Sequence, residues 1–307
     1  MAKSKAVAAA PALQGDIPGR LAGKIAVVTG AAGNLGGHIV THYLAEGATV
    51  VMTGRTPDRT KAAADALLKA TGADPARLVT VALDGGDIAS VRAAIAEVVK
   101  QFGRIDILVN AHRLVAASDV LDPEADAVED LLEQNLLTSL RLSQMAAKRM
   151  IQKAEKSGVE GMIGSIINLS SLAAVRTQPQ LLGYSISCAA VEQMTRSLAV
   201  ALAPRGIRVN AIAFASVMSA SLQAALKENP EWRESIEAGT PLARIASADE
   251  LAEVSEAGLP DEIRPLVHEL NLLFGRVRQA FDAQKNFVAE AAHELRSPLA
   301  ALRLQVQ

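Results

Sequence analysis

A glycine-rich turn between a predicted strand and a predicted helix is where this sequence most clearly predicts chemistry. Residues 24–37 read KIAVVTGAAGNLGG, and the apolar residues 25–28 predict a buried parallel strand. Glycines let the backbone turn tightly and approach a pyrophosphate, and the helix that follows offers free N–H groups at its N-terminus. The alternative is a turn with a structural role alone. We predict that a dinucleotide is bound by Gly30, Gly33, Asn34, Leu35 and Gly36.

The end of the second predicted strand indicates which dinucleotide is bound. There the sequence reads Thr53-Gly54-Arg55, without the acidic residue that would accept hydrogen bonds from the adenosine ribose and select NAD. Arg55 carries a positive charge that can pair with a 2′-phosphate instead. We therefore predict NADP(H) as the cofactor. The alternative is that Arg55 is a solvated loop residue.

The glycine-rich turn resembles that of the short-chain dehydrogenase/reductase family, which has the form T-G-x-x-x-[G/A/N]-x-G. Thr29, Gly30, Asn34 and Gly36 lie on this pattern. The resemblance covers about residues 21–252, roughly three quarters of the chain. It implies an oxidoreductase that transfers a hydride between a nicotinamide cofactor and a small carbonyl or alcohol substrate.

Residues 19–109 are more specifically similar to the reductase module of bacterial bifunctional malonyl-CoA reductases. GRLAGKIAVVTGAAGNLG, LAEGATVVMTGR and RIDILVN carry this likeness, which ends near Asn110. It implies NADPH and malonate semialdehyde, or a similar small aldehyde, as substrates. The broader family resemblance implies that Asp84 holds the adenine ring and that Asn110 lies where the backbone approaches the cofactor.

Carbonyl reduction in this family uses a tyrosine as general acid, a serine that orients the carbonyl group, and an asparagine that holds a proton-relay water. The resemblance implies these roles for Tyr184, Ser171 and Asn135. Ser171 and Tyr184 stand 13 residues apart, as the family pattern requires. The only other tyrosine of the chain is Tyr43, so no rival acid is present. The alternative roles are a turn residue for Ser171 and packing for Tyr184.

The family lysine that follows the tyrosine by four residues is missing, and Cys188 stands in its place. In the family, that lysine lowers the tyrosine pKa and holds the nicotinamide ribose. A thiol has a reference pKa of about 8.5 and supplies no positive charge, and a thiolate would raise the tyrosine pKa. We expect Cys188 to be a small buried residue, with a reactive role as the alternative. Cofactor binding would be retained and hydride transfer weakened, with rescue by Cys188→Lys.

Two further departures from the family lie beside the predicted nicotinamide position. The family motif N-N-A-G is replaced by Asn110-Ala111-His112-Arg113, which puts side chains where glycine gave room. The family Pro-Gly after the sixth strand is replaced by Phe214-Ala215. We expect His112 to be an ordinary loop histidine rather than a replacement base.

The last 55 residues differ from the family, and we expect its seventh strand to be missing. Residues 287–299 resemble the phospho-acceptor box of bacterial sensor histidine kinases, with His293 at the position of the phosphorylated histidine. We expect an amphipathic helix that docks or dimerises, with phosphate transfer to His293 as the alternative. The 4-3-4-3 spacing of a coiled-coil seam is followed by Leu266, Leu270, Leu273, Val277 and Ala280.

Composition excludes several functional classes. The 307-residue chain is 50% apolar, has a net charge of −2 and contains only 3% aromatic residues, which disfavours nucleic-acid binding. One cysteine excludes an intramolecular disulfide and fits a reducing compartment. No apolar run reaches the roughly 18 residues that a membrane span requires. We predict a cytoplasmic homo-oligomer that binds no metal, nucleic acid or membrane.

Alternating strands and helices predict the fold that positions these residues. The predicted strands are residues 25–28, 49–53, 77–83, 105–109, 165–169 and 207–212. The predicted helices are residues 38–46, 58–70, 88–102, 124–155 and 184–203. This rhythm predicts a Rossmann-like, doubly wound α/β fold with a parallel sheet, followed by a C-terminal helical extension. We predict a disordered tail at residues 1–20, an NADP-binding domain at 21–252 and a helical segment at 253–307.

Two functions of different classes remain open at this point. The Ser171 and Tyr184 pair favours an NADPH-dependent reductase of small carbonyl compounds. The altered nicotinamide side favours a cofactor-binding pseudoenzyme or interaction protein that dimerises through its C-terminal helices.

Overall fold

The computed structural model describes residues 19–122, 126–177, 179–216, 218, 222–223, 226–227, 229–240 and 243–245. The chain divides into two compact units, of which the first contains the residues up to Ala215 and the second contains the helix Glu231–Ala238. The predicted domain boundary at residue 252, the coiled-coil seam and His293 lie outside the described residues. None of the described helices is both long and apolar enough to cross a membrane.

A parallel sheet forms the centre of the first unit. Its six strands in the described residues are β1 (Ile25–Thr29), β2 (Thr49–Gly54), β3 (Leu78–Ala82), β4 (Ile107–Asn110), β5 (Gly164–Ser171) and β6 (Ile207–Phe214). Their order is β3-β2-β1-β4-β5-β6, and every neighbouring pair is parallel. This confirms the doubly wound sheet. The strand order reverses between β1 and β4, and the crevice at the carboxyl ends of these strands is where such sheets bind ligands.

The helices connect these strands. They are α1 (Asn34–Ala45), α2 (Pro57–Thr71), α3 (Ile88–Phe102), α4 (Val128–Leu131), α5 (Thr138–Ser157) and α6 (Leu182–Leu202), with α7 (Glu231–Ala238) in the second unit. Short 3₁₀ turns lie at Pro75–Arg77, Leu172–Ala174, Pro179–Leu181 and Ala203–Arg205.

The long helix predicted at residues 124–155 is wrong in its start and in its continuity. Regular α-helix begins only at Val128, and a π-helical turn at Leu132–Leu137 separates α4 from α5. The π turn contains Asn135, whose side chain is completely buried. Apolar periodicity does not detect a single wider turn of this kind, and such turns are frequent at functional sites.

The core holds the sheet against its covering helices. All five residues of β1 are buried, as expected for a central parallel strand. On α3, Val91, Ala94, Ile95 and Val98 form the buried face. They share one apolar cluster with strand residues and with α5. Burial of each large aliphatic side chain contributes about 1.5–3 kcal/mol, so the strand ends that carry the loops are held on a rigid base.

The residues just before β1 are held against the first unit. The sequence places Gly19 and Arg20 in a disordered tail, but Arg20 forms an ion pair with Glu46 at 2.5 Å. The adjacent Leu21 is completely buried and donates its N–H to the Glu46 carbonyl at 2.8 Å. The guanidinium of Arg20 lowers the pKa of Glu46. These contacts fasten the chain before β1 to the end of α1.

Candidate active site

The turn after β1 has a shape that requires glycine. Gly30 has a φ of +62°, and a Cβ atom there would lie 2.7 Å from the His112 Cα atom. A Cβ atom at Gly36 would overlap with the Gly30 carbonyl oxygen and would lie 2.8 Å from the Ala31 Cα atom. The turn therefore packs closely on itself and on the loop after β4, and side chains at these two positions would push it apart.

The N-terminus of α1 is available to an anion. Gly33 occupies the N-cap position without a side-chain cap, and the first turn of the helix contains no acidic residue. The amide groups and the positive end of the helix dipole are therefore not neutralised locally. Gly33, Asn34 and Leu35 lie at this end of the helix, as the predicted dinucleotide site requires. Uncapped helix N-termini of this kind bind phosphate groups in other proteins, and dinucleotide binding here stays a prediction.

Arg55 and Asp84 follow β2 and β3, the two strands on one side of β1 in the sheet. Arg55 directly follows β2 and is exposed, and its charge contributes to the lowered pKa of His112. Asp84 lies in the exposed loop after β3, where its carboxylate accepts the Gly86 N–H at 3.1 Å. Both residues are thus at the carboxyl ends of neighbouring strands. Their contacts with a cofactor stay predictions.

Asn110 supports the site from the interior. Its Nδ2 atom donates to Asn168 Oδ1 at 2.8 Å and to Ser143 Oγ at 3.2 Å. Asn168 in turn donates to Thr195 Oγ1 at 2.9 Å. This buried network ties β4 and β5 to α5 and α6. The side chain of Asn110 thus fixes the strand end, and the predicted cofactor contact would have to come from its backbone.

Asn135 fastens the loop after β4 to the helix that carries Tyr184. Its Oδ1 atom accepts the Leu114 N–H at 2.8 Å, and its Nδ2 atom donates to the Leu114 carbonyl at 2.9 Å. The same Nδ2 donates to Ser187 Oγ at 3.1 Å. Both ends of the carboxamide are therefore engaged in positioning the site. A role in holding a relay water stays a prediction.

The structure brings Ser171, Tyr184 and Cys188 together. Ser171 ends β5, and Tyr184 and Cys188 lie one turn apart on α6. The Ser171 hydroxyl and the Cys188 thiol both lie close enough to the Tyr184 phenol to act on its pKa. Ser171 Oγ also accepts the Ala173 N–H at 3.2 Å. The Ser171 hydroxyl and the Tyr184 phenol thus lie next to each other at the carboxyl end of the sheet.

Burial governs the ionisation of this group. Desolvation, reinforced by Cys188, raises the pKa of Tyr184 to about 12, although the charge of Arg113 and the Ser171 hydroxyl act in the opposite direction. Burial also raises the pKa of Cys188, which is completely buried. Near neutral pH the phenol therefore holds its proton and the thiol is uncharged. Tyr184 is in the protonated form that a general acid requires.

His112 is a structural residue. Its Nδ1 atom lies 2.6 Å from Thr29 Oγ1, which also accepts the Ala111 N–H at 3.1 Å. Burial, together with the charge of Arg113, lowers the pKa of His112 to about 3. The imidazole is too weak a base to replace the missing lysine or to take a proton from a substrate. Thr29 joins the glycine-rich turn to the loop after β4, a connection that the sequence does not reveal.

Arg113 is the residue of this site that the predicted set lacks. Its Nε, Nη1 and Nη2 atoms are all buried and make no hydrogen bond within the described part of the chain. Its positive charge acts on Tyr184 and Cys188. The sequence does contain an indication of this role. Arg113 replaces the last glycine of the family motif N-N-A-G, and the same sequence lacks the family lysine. No group of three or more His, Cys, Asp or Glu side chains in the described ranges could hold a metal ion.

Comparison with known proteins gives matches over most of the chain. The family model described as "Enoyl-(Acyl carrier protein) reductase" matches residues 30–257. An uncharacterized oxidoreductase of Methylorubrum extorquens is 30% identical over 84% of this chain and 99% of its own length. The 3-oxoacyl-[acyl-carrier-protein] reductase of Thermotoga maritima is 30% identical over 76% of this chain and 89% of its own length.

A similar solved structure is the N-domain of a bacterial malonyl-CoA reductase with NADP. It is 44% identical, and the similarity covers 79% of this chain and 46% of that chain, with a TM-score of 0.63. The present chain therefore spans about half of that structure.

Proposed function

The chain belongs to the short-chain dehydrogenase/reductase family of oxidoreductases, and we propose that it reduces a small carbonyl compound with NADPH. One observation carries this proposal: the Tyr184 phenol and the Ser171 hydroxyl lie together at the carboxyl end of the sheet, close enough for the hydroxyl to act on the pKa of the phenol. The glycine-rich turn, shaped for a pyrophosphate, lies at the same edge, two strands away.

The chain's own residues provide the proton chemistry of this reduction. NADPH, when bound, supplies the hydride that attacks the carbonyl carbon. The Ser171 hydroxyl donates a hydrogen bond to the carbonyl oxygen and orients it. Tyr184 donates its phenolic proton to the same oxygen as negative charge develops there, so that an alcohol is released. The phenolate left on Tyr184 then recovers a proton from solvent.

The choice of NADPH rests on the residue that follows β2. Arg55 is positively charged and exposed at the strand end, where an acidic residue would favour NAD. The malonyl-CoA reductase N-domain, with 44% identity, was solved with NADP. Malonate semialdehyde and other small aldehydes are the substrates we propose on the same likeness.

Replacing Arg55 with alanine should weaken NADPH binding by about 10- to 100-fold, because charge-assisted hydrogen bonds to the 2′-phosphate are lost. NADH lacks that phosphate, so its affinity should stay the same. Titration of the protein with each cofactor, followed by nicotinamide fluorescence, measures both values. Arg92→Ala removes an equally exposed arginine from α3 and should change neither affinity. An equal loss for both cofactors would contradict the assignment.

The two directions of the reaction should respond differently to pH. Alcohol oxidation needs the Tyr184 phenolate, and with a pKa of about 12 only about 10⁻⁴ of the molecules carry it at pH 8. The oxidation rate should therefore rise about tenfold per pH unit between pH 7 and 10. Reduction uses the protonated phenol and should not fall over this range. Initial rates in both directions at constant ionic strength provide the test, and an oxidation rate that levels off below pH 9 would contradict it.

A pseudoenzyme is the second candidate function, and the lysine position favours it. Cys188 supplies no charge there, and the pKa of Tyr184 is about 12. Such a protein would bind NADPH without oxidising it. Mixing the NADPH complex with malonate semialdehyde and a panel of small aldehydes and ketones separates the two candidates. Oxidation of NADPH supports the reductase, and stable binding without oxidation supports the pseudoenzyme.

The cytoplasmic location and the homo-oligomeric state are parts of the same proposal. The three-part domain organisation and the helical segment at 253–307 are likewise proposed from the sequence. Phosphate transfer to His293 stays a sequence prediction, which labelling by a partner kinase would test.

A further inference from the structure

The guanidinium of Arg113 lies in an unusual electrostatic position. All three of its nitrogen atoms are buried without a hydrogen-bond partner in the described part of the chain. Burial lowers the pKa of Arg113, but an arginine side chain stays charged in proteins. A buried cation is costly unless neighbouring groups compensate its charge. The groups that interact with it therefore indicate its role.

Those groups are on α6, against which the loop of Arg113 is held: Asn135 forms hydrogen bonds with the backbone of Leu114, the next residue, and with Ser187 of α6. The charges that act on Arg113 are those of Cys188 and Tyr184, when these residues ionise. Arg113 in turn opposes the rise in the pKa of each of them. The charge of Arg113 thus acts on the Tyr184 phenol, which is the proton donor of the proposed reduction.

The other ionisable groups around the site do not supply such a charge. His112 is neutral, because its pKa is about 3. Glu192 on α6 accepts a hydrogen bond from Ser170 at 3.0 Å, and its negative charge raises the pKa of Cys188. Arg55 acts on His112 but is exposed. In the described residues, Arg113 is therefore the cation that faces Tyr184.

We propose that Arg113 supplies, from the loop after β4, the positive charge that the family lysine supplies from α6. The guanidinium stabilises the Tyr184 phenolate as its proton passes to the substrate oxygen, and Arg113 is in this sense a positioning residue. This inference rests on the proposed reductase function. It explains why two departures from the family occur together: a glycine becomes Arg113, and the lysine becomes Cys188.

The identity of residue 188 follows from the same arrangement. Cys188 is completely buried, and its thiol and the Tyr184 phenol act on each other's pKa. A lysine at this position would bring a second buried cation into the neighbourhood of the Arg113 guanidinium. Like charges in a desolvated site repel strongly, whereas a small neutral thiol avoids this repulsion. The rescue by Cys188→Lys that the sequence predicts is therefore expected only when Arg113 is also replaced.

Titration of the residue 184 phenol tests the charge pairing without cofactor or turnover. In the Tyr43→Phe background, a fluorinated tyrosine is incorporated at residue 184 alone. The phenol of fluorinated tyrosine is more acidic than that of tyrosine, so the titration occurs at lower pH. Fluorine NMR then gives the phenol pKa. Arg113→Met should raise it by about one pH unit or more, and Arg113→Lys should keep it near the starting value. Arg176→Met removes an exposed arginine after β5 and serves as the matched control.

The outcomes distinguish this inference from the proposed function. A phenol pKa that is unchanged or lower in Arg113→Met would overturn the inference, even if the protein oxidises NADPH. A phenol that responds to Arg113 in a protein that oxidises no NADPH would support the charge pairing and overturn the reductase function. If Arg113→Met does not fold, as judged by circular dichroism, the Arg113→Lys and Cys188→Lys variants carry the test.

Turnover in the lysine variants provides the second test. Cys188→Lys alone should not raise the rate of reduction above that of the unaltered protein. The double variant Arg113→Ala/Cys188→Lys should be at least about tenfold faster than Arg113→Ala, because one cation again faces Tyr184. A large gain from Cys188→Lys with Arg113 present would show that Arg113 does not serve as the missing charge.

Discussion

Replacing Tyr184 with phenylalanine should lower the rate of carbonyl reduction by about 10²–10⁴-fold, while NADPH affinity stays within about twofold. The substitution removes the phenolic proton and retains the ring, so packing on α6 changes little. The residual rate would come from proton donation by solvent. Single-turnover oxidation of bound NADPH, followed by absorbance, measures the loss separately from cofactor binding.

Tyr43→Phe is the matched control for this experiment. It removes the hydroxyl of the only other tyrosine, a completely buried residue of α1, and should leave the rate within about threefold, because that residue lies outside the predicted acid–base group. Ser171→Ala should reduce the rate to an intermediate level, since the acid remains while the carbonyl loses its orienting donor. A Tyr184→Phe protein that retains more than about a tenth of the rate would exclude Tyr184 as the principal acid.

Replacing Gly36 with alanine should abolish measurable NADPH binding and destabilise the fold by about 1–3 kcal/mol. The new Cβ atom would overlap with the Gly30 carbonyl oxygen and lie 2.8 Å from the Ala31 Cα atom. Both are backbone atoms of the turn, so the turn itself would have to move. The amides at the start of α1, which we propose to bind the cofactor phosphates, would move with it. Fluorescence titration and chemical denaturation measure the two effects.

The neighbouring glycine provides the control. A Cβ atom at Gly37 would lie 3.8 Å from the nearest heavy atom, the Ala31 carbonyl oxygen, which is ordinary van der Waals contact. Gly37→Ala should therefore preserve NADPH binding and stabilise the protein by about 0.5–1 kcal/mol, because alanine favours the helix. Equal behaviour of the two variants would mean that close packing of the turn does not decide cofactor binding.

The sheet was predictable from the sequence because its central strands β1, β2, β4 and β5 are buried almost throughout. Such strands appear as short apolar runs, and each of the six predicted runs overlaps one observed strand. The predicted α3 matches residue for residue, because its four buried residues follow the helical period. The start of the long helix and the π turn at Leu132–Leu137 were not predictable. Asn135 in the π turn forms hydrogen bonds with Leu114 and Ser187, which are distant in sequence.

The candidate site, too, was predictable from the sequence only in part. The spacing of Ser171 and Tyr184 predicted their meeting, because one ends a strand and the other lies at the start of the next helix. The direction of the Arg113 side chain was not predictable, since it depends on how the loop after β4 packs against α6. The side-chain position of Asn110 likewise depends on partners from three other elements. The sequence predicted a candidate acid–base pair, and the tertiary packing placed the charge of Arg113 near it.

The most direct test of the reductase is transfer of a labelled hydride. The protein is mixed with NADPH that carries deuterium at the transferable position of the nicotinamide, and with malonate semialdehyde or another aldehyde of the panel. We predict one deuterium at the carbinol carbon of the alcohol product by mass spectrometry, and its loss in the Tyr184→Phe protein. Bound NADPH that remains unoxidised, with no deuterium in any alcohol, would contradict the reductase function and support the pseudoenzyme.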